Sequence, residues 1–147
     1  MNRIGMPLSI FRTWGTATVL LALVWLGGCG PQSVTNLRKR PHSAYSFEAP
    51  AGCEAVYDRV ARRARERYRA IPTSRHQPGV SANLASSRLS ATITLWDSGG
   101  IGIRYILTAD LRQIDPSKTQ VDVYCATKAD LKEAMLWTQW ANTPLGN

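Results

Sequence analysis

The side chains of this chain best suited to covalent or metal chemistry are three cysteines and two histidines: Cys29, Cys53, Cys125, His42 and His76. A cysteine thiolate can take up a lipid group or form a disulfide, and an imidazole can act as a general base or a metal ligand. Neither histidine lies in a metal-ligand spacing, and the sequence contains no GxSxG, HExxH, Walker or GxGxxG motif. The sequence therefore predicts no catalytic residue, no metal site and no cofactor.

The segment in front of Cys29 has the three parts of an export signal. Arg3 and Arg12 form a positively charged start, and the 16 residues 13–28 that follow carry no charge. A helix that spans a membrane needs about 20 apolar residues, and threonines and a glycine dilute the first half of this stretch. We therefore expect residues 1–28 to be a removable signal peptide rather than a permanent anchor.

The residues Leu26-Gly27-Gly28-Cys29 resemble the lipobox of bacterial lipoproteins, which is an aliphatic residue, two small residues and the modified cysteine. The resemblance implies a diacylglyceryl thioether on Cys29, cleavage before it by signal peptidase II, and acylation of the new amine by a fatty acid such as palmitate. Gly30 stands where an Asp would retain an enterobacterial lipoprotein in the inner membrane. The resemblance thus implies the periplasmic face of the outer membrane, with the inner membrane as the less favoured site.

The composition of the mature chain limits its partners. Removing residues 1–28 leaves 119 residues, with 16 Lys and Arg against 10 Asp and Glu, a net charge of +6. This excess favours anionic lipid or another acidic polymer. No zinc-finger, RNP-type or helix-turn-helix pattern is present, and an exported protein meets little nucleic acid. We expect the membrane as a partner through the lipid, a further envelope protein, and no nucleic acid.

Residues 29–51 are predicted to be the lipidated cysteine and a flexible tether. Pro31, Pro41 and Pro50 interrupt a stretch rich in Ser, Thr, Asn and Gln, which cannot bury enough apolar surface to offset its ordering entropy. The run 38–40 is basic and close to the lipid, so it either contacts an anionic leaflet or keeps the tether in solution.

A helix is predicted from about residue 52 to 70, because apolar residues recur every four positions: Val56, Val60, Ala64 and Tyr68. Arginines fill much of the remaining surface, and we take three of them as candidate binding residues: Arg62, Arg65 and Arg69. Such a face either binds an anionic polymer or is simply solvated.

Three strands and a second helix are expected after a loop at residues 71–86. Period-two alternation predicts strands near 88–96, 101–113 and 119–126, and a capping-box pattern starts a helix after Thr127. The fold class is therefore α+β: a two-layer sandwich of helix, three-stranded antiparallel meander and helix, in a domain at 52–141 with a disordered tail at 142–147. We expect Arg112 rather than Asp110 opposite Asp122, because like charges repel across strands.

The sheet face away from the helices carries aromatic and charged residues that could dock a partner. We take Trp96, Arg104 and Tyr124 as candidate binding residues on this face, since exposed aromatic groups beside charges are common at interfaces.

Cys53 and Cys125 form an even pair once Cys29 is lipidated. Alternation places both on the core side of their elements, and an exported protein lies in an oxidising compartment. We therefore predict a Cys53–Cys125 disulfide, with two buried free thiols as the alternative.

The plan of a lipobox, a short tether and one α+β domain resembles small envelope lipoproteins of Gram-negative bacteria. The sequence favours a non-catalytic interaction module anchored by lipid. Two alternatives stay open. One is an envelope enzyme, such as a cell-wall hydrolase that uses His76 with Arg75 or Asn83, and the other is a binder of anionic lipid or glycan.

Overall fold

A computed structural model describes residues 33–69, 76–99 and 102–145. In chain order the helices and strands are α1 (Val34–Lys39), β1 (Ser43–Ala49), α2 (Cys53–Arg69), β2 (His76–Leu84), β3 (Ser90–Gly99), β4 (Gly102–Asp115), β5 (Lys118–Cys125) and α3 (Leu131–Asn142). A short 3₁₀ helix at Lys128–Asp130 leads into α3.

The five strands form one antiparallel sheet in the order β1-β5-β4-β3-β2. An α+β fold is thus confirmed, and the predicted meander corresponds to β3, β4 and β5. Two further strands flank it. β2 occupies most of the predicted loop at 71–86, and β1 lies within the predicted tether.

The core lies between one face of the sheet, here called the inner face, and the helices α2 and α3. α2 buries one side of its surface, at Cys53, Val56, Val60, Ala61 and Ala64. The strands bury the alternate residues that face it, among them Ile93, Leu107, Leu111, Val121 and Val123. Trp137 of α3 is 1% exposed and is the largest fully buried side chain of the described residues. The predicted first helix and the Thr127–Asp130 capping box are both confirmed.

Residues 34–49 are structured, although the sequence predicts a flexible tether over 29–51. Ser33 caps α1 by accepting the backbone N–H of Asn36 at 3.1 Å, and Leu37 is fully buried. β1 pairs with β5 along its whole length, from Ser43 opposite Cys125 to Ala49 opposite Thr119. The tether was predicted from the polar composition of this stretch. Its apolar residues nevertheless alternate with period two, as expected of an edge strand.

α1 lies on the opposite side of the sheet from α2, here called the outer face. Its Arg38 reaches outward-facing residues of β3 and β4: the guanidinium Nε donates to Asp110 at 2.7 Å, and an Nη donates to Thr92 at 3.3 Å. The chain therefore forms three layers rather than the predicted two, with α1 on one side of the sheet and α2 with α3 on the other.

The β4–β5 register places Asp110 opposite Asp122, so the prediction of Arg112 at that position is wrong. Like charges are tolerated there because each carboxylate has other partners. Asp110 accepts two bonds from Arg38, and Asp122 accepts a hydrogen bond from Ser46 of β1. Both partners come from the segment that was predicted to be the tether.

A β-bulge changes the face that the hairpin residues occupy. The register shifts between Leu95, opposite Leu107, and Trp96, opposite Tyr105. The extra residue on β4 reverses the alternation beyond it. Ile103 is consequently 53% exposed, whereas unbroken alternation from Leu107 would place it on the inner face.

Candidate functional site

The six arginines of α2 divide into two groups with different surroundings. Arg59, Arg63 and Arg67 face α3. Arg59 donates to the carbonyl of Ala141 at 3.0 Å, and Arg63 donates to that of Trp140 at 3.1 Å. These bonds satisfy carbonyls at the C-terminus of α3, which have no partner within the helix.

The same group also orders the chain beyond α3. Arg63 donates to the carbonyls of Thr143 and Pro144 at 3.0 and 2.9 Å, within the predicted tail at 142–147. Arg67 lies 3.2 Å from the Glu133 carboxylate, and that negative charge raises the pKa of the guanidinium. These three arginines therefore join the two helices.

The second group, Arg62, Arg65 and Arg69, is exposed and forms what we call the arginine stripe. None of the three forms an ion pair with another described residue. Together with Asp58 and Glu66 they line a shallow pocket of about 290 Å³. The three candidate residues of α2 are thus brought together on one surface, and their guanidinium groups are available to a ligand.

The other candidate binding residues do not join the stripe. The indole of Trp96 lies directly over Gly79 of β2, where a Cβ would collide with the ring, and its Nε1 donates to Ser81 at 3.1 Å. Tyr124 is half-buried on the outer face, and this burial raises its pKa. Arg104 is exposed and lies opposite Asp97, beyond the β-bulge. The bulge places it on the face opposite Trp96, so its predicted position on the outer face is wrong. The predicted docking surface is therefore partly occupied by packing within the domain.

Cys53 and Cys125 lie at opposite ends of the sheet, and both are free, buried thiols. The Cys53 end is marked by Thr119, whose hydroxyl donates to the carbonyl of Ala51 at 2.8 Å. Thr119 and Cys125 are six positions apart, about 20 Å along the strand, whereas a disulfide needs Cα atoms within about 7 Å. The predicted disulfide is therefore not formed: alternation placed both thiols inward but carried no information on their position along the strand.

We expect a sample kept free of reductant to show two free thiols once it is unfolded, and almost no alkylation while it is folded. Burial raises the pKa of Cys53, and burial with the nearby Asp130 charge raises that of Cys125 from 9.0 to about 11. Alkylation requires the thiolate. Mass spectrometry after alkylation with and without urea measures the number of alkylated thiols. An unfolded sample with no free thiol would show that the Cys53–Cys125 disulfide does form.

The same raised pKa predicts a loss of stability at alkaline pH. The folded state holds the Cys125 proton more tightly than the unfolded state. The contribution of this thiol to the free energy of unfolding is therefore complete below pH 9.0 and is lost as the pH rises through about 11. Urea midpoints across this range should fall, and they should fall less in Cys125→Ala. An identical decline in the two proteins would show that Cys125 does not contribute.

The residues proposed for an envelope enzyme are not assembled in the described parts of the chain. His76 Nδ1 lies 2.9 Å from an Asp97 carboxylate oxygen. Asn83 lies seven residues further along the same strand, about 23 Å away. Arg75 lies outside the described residues. Among those described, no group of three or more His, Cys, Asp or Glu side chains could hold a metal ion.

The lipidation site, Cys29, and the signal segment 1–28 lie outside the described residues. No helix within residues 33–69, 76–99 or 102–145 is long and apolar enough to cross a membrane. The first described residue, Ser33, follows Cys29 by four positions.

The comparisons with known proteins assign no family to the chain. No protein-family model matches it, and no curated protein does. Among solved structures, the crystal structure of Ara h 8.0201 is similar, at 12% identity and a TM-score of 0.31, over 67% of this chain and 96% of that one.

Proposed function

We propose that this chain is a lipid-anchored protein of the Gram-negative cell envelope that acts as a non-catalytic interaction module. Its place is the periplasmic face of the outer membrane. The sequence Leu26-Gly27-Gly28-Cys29 after a short apolar segment supports the anchor. The basic excess of the mature chain supports an anionic partner.

The arginine stripe is the observation that supports binding. A guanidinium carries its charge at any physiological pH and pairs with carboxylates through two parallel hydrogen bonds. Three neighbouring arginines of the same helix are engaged with α3, whereas the stripe residues have no ion-pair partner among the described residues. The i, i+3, i+7 spacing sets them along about 10 Å of helix, so they fit a ligand with several anionic groups.

Replacing Arg62, Arg65 and Arg69 together by Glu is expected to weaken binding to immobilised polyglutamate by more than tenfold. Each exposed ion pair contributes up to about 1 kcal/mol, and about 1.4 kcal/mol corresponds to tenfold. Binding of the mature protein should also weaken as salt rises, because salt screens exposed charges. Elution from the matrix and equilibrium titration both measure the effect.

The matched control reverses three exposed positive charges elsewhere to Glu, at Arg112, Lys128 and Lys132. It produces the same net charge but leaves the stripe intact, so it should retain most of the binding. Equal losses of binding in the two variants would show that only the net charge matters, and would contradict a binding role for the stripe.

A further inference from the structure

The anchor and the domain are separated by a very short segment. α1 begins at Val34 and Ser33 caps it, only four residues after Cys29. Four residues span at most about 14 Å even when fully extended. If Cys29 carries the lipid, as the proposed function requires, the start of α1 is held within that distance of the bilayer surface.

The layer order determines which side of the domain the lipid holds. α1 lies on the outer face of the sheet, where Leu37 is fully buried and Arg38 pairs with Asp110. α2 and α3 cover the inner face. A membrane next to α1 therefore has the sheet between itself and α2.

The arginine stripe points away from the sheet. At 3.6 residues per turn, Arg62, Arg65 and Arg69 lie about 140–200° around the helix axis from the buried Val60. The buried residues of α2 face the sheet, so the stripe faces outward on the side opposite α1.

We propose that the domain is oriented with α1 towards its anchoring membrane. The stripe then binds a polycarboxylate polymer of the periplasm rather than the headgroups of the anchoring leaflet. α1, the sheet and α2 form three layers at spacings of about 10 Å. The stripe is thus about 20 Å or more beyond α1. The Debye length at physiological ionic strength is about 8 Å, so the leaflet charge is screened at that distance.

The basic residues of α1 fit the same orientation. Arg38 is engaged with Asp110, whereas Lys39 and Arg40 are exposed. Basic side chains next to a bilayer are attracted to anionic lipid. The chain therefore has two basic surfaces on opposite sides: α1 next to the leaflet and the stripe facing the compartment.

The orientation is tested with the mature lipidated chain in phosphatidylcholine vesicles that contain spin-labelled lipid. A fluorophore is attached through Asn36→Cys on α1 or through Glu66→Cys beside the stripe, both at exposed positions. The unsubstituted protein controls for labelling of the two buried thiols. We expect strong quenching at position 36 and little at 66. Equal quenching at both positions, or stronger quenching at 66, would overturn the proposed orientation.

The ligand class is tested by co-sedimentation of the same neutral vesicles with purified peptidoglycan sacculi, whose stem peptides carry carboxylates. Protein-bearing vesicles should sediment with sacculi. The Arg62, Arg65 and Arg69 to Glu variant should lose at least tenfold of this binding, while the Arg112, Lys128 and Lys132 to Glu variant retains it. A stripe that instead captures protein-free vesicles containing phosphatidylglycerol, and no sacculi, would overturn the polymer assignment.

The mass of the N-terminal peptide separates the two proposals. An unmodified Cys29 would contradict the lipid anchor itself. If Cys29 is lipidated but a fluorophore at position 66 is strongly quenched, the anchor holds and only the proposed orientation is contradicted.

Discussion

Trp137→Ala is expected to destabilise the domain by about 3–5 kcal/mol, the range found when a buried tryptophan is truncated. Trp137 is 1% exposed and belongs to the core between α2, α3 and the sheet. Domains of this size are stable by about 5–15 kcal/mol, so the change removes a large part of the total. Urea unfolding followed by circular dichroism measures the difference in the free energy of unfolding.

Two variants of the same helix control for this effect. Met135→Ala removes a side chain that is 69% exposed, and should change stability by less than about 0.5 kcal/mol. Trp137→Phe keeps an aromatic ring and removes the indole N–H, which has no hydrogen-bond partner among the described residues. It should cost less than the alanine variant. Similar losses for Met135→Ala and Trp137→Ala would contradict the placement of α3.

Arg38→Met is expected to destabilise the domain by roughly 1–3 kcal/mol, the cost of leaving a charged group without its partner. Without the guanidinium, the Asp110 carboxylate stands opposite Asp122, and the two negative charges repel. Because Arg38 joins α1 to the sheet, the loss should be concentrated in α1. Hydrogen exchange at the amide of Leu37, which donates to the Ser33 carbonyl at 3.0 Å, should accelerate before global unfolding.

A double-mutant cycle with Asp110→Asn isolates this contact. Asp110→Asn removes the uncompensated charge, so its combination with Arg38→Met should cost less than the sum of the two single variants. Additive losses would mean that the ion pair does not hold α1 on the outer face.

Local patterns predicted the elements whose periodicity is complete within one segment. α2 follows from apolar residues at helical spacing, and the start of α3 follows from the Thr127–Asp130 pattern, where the Asp130 carboxylate accepts the backbone N–H of Thr127 at 2.8 Å. β4 and β5 follow from alternation and from the tight turn between Asp115 and Lys118.

The two edge strands could not be recognised from composition. β2 contains Pro78 and Gly79, which normally argue against a strand. An edge position leaves one side of the backbone without a partner strand, and Gly79 provides the space that the Trp96 ring occupies. That requirement comes from β3, so it is not visible in β2 alone.

Long-range pairings caused the remaining errors. In the β4–β5 register, the charge of Asp110 is compensated by Arg38, which comes from a helix more than 70 residues earlier in the chain. The cysteine pairing failed for a related reason: inward orientation is a local property, whereas position along a strand depends on the whole sheet.

The candidate site was predictable in part. Exposure of Arg62, Arg65 and Arg69 follows from their position opposite the buried side of α2. The sequence did not show that Arg59 and Arg63 bind the end of α3, because that contact needs the tertiary arrangement. It also did not show that α1 covers part of the outer face, which reduces the surface open to a partner there.

Metabolic labelling of the full-length chain with radioactive palmitate, beside Cys29→Ser, tests the lipid anchor most directly. The natural sequence should give a labelled, processed protein, and the variant an unlabelled, unprocessed precursor. Its mature N-terminal peptide should begin at a lipidated Cys29. Label that persists in Cys29→Ser, or a natural chain that is processed without lipid, would contradict the anchor on which the proposed function depends.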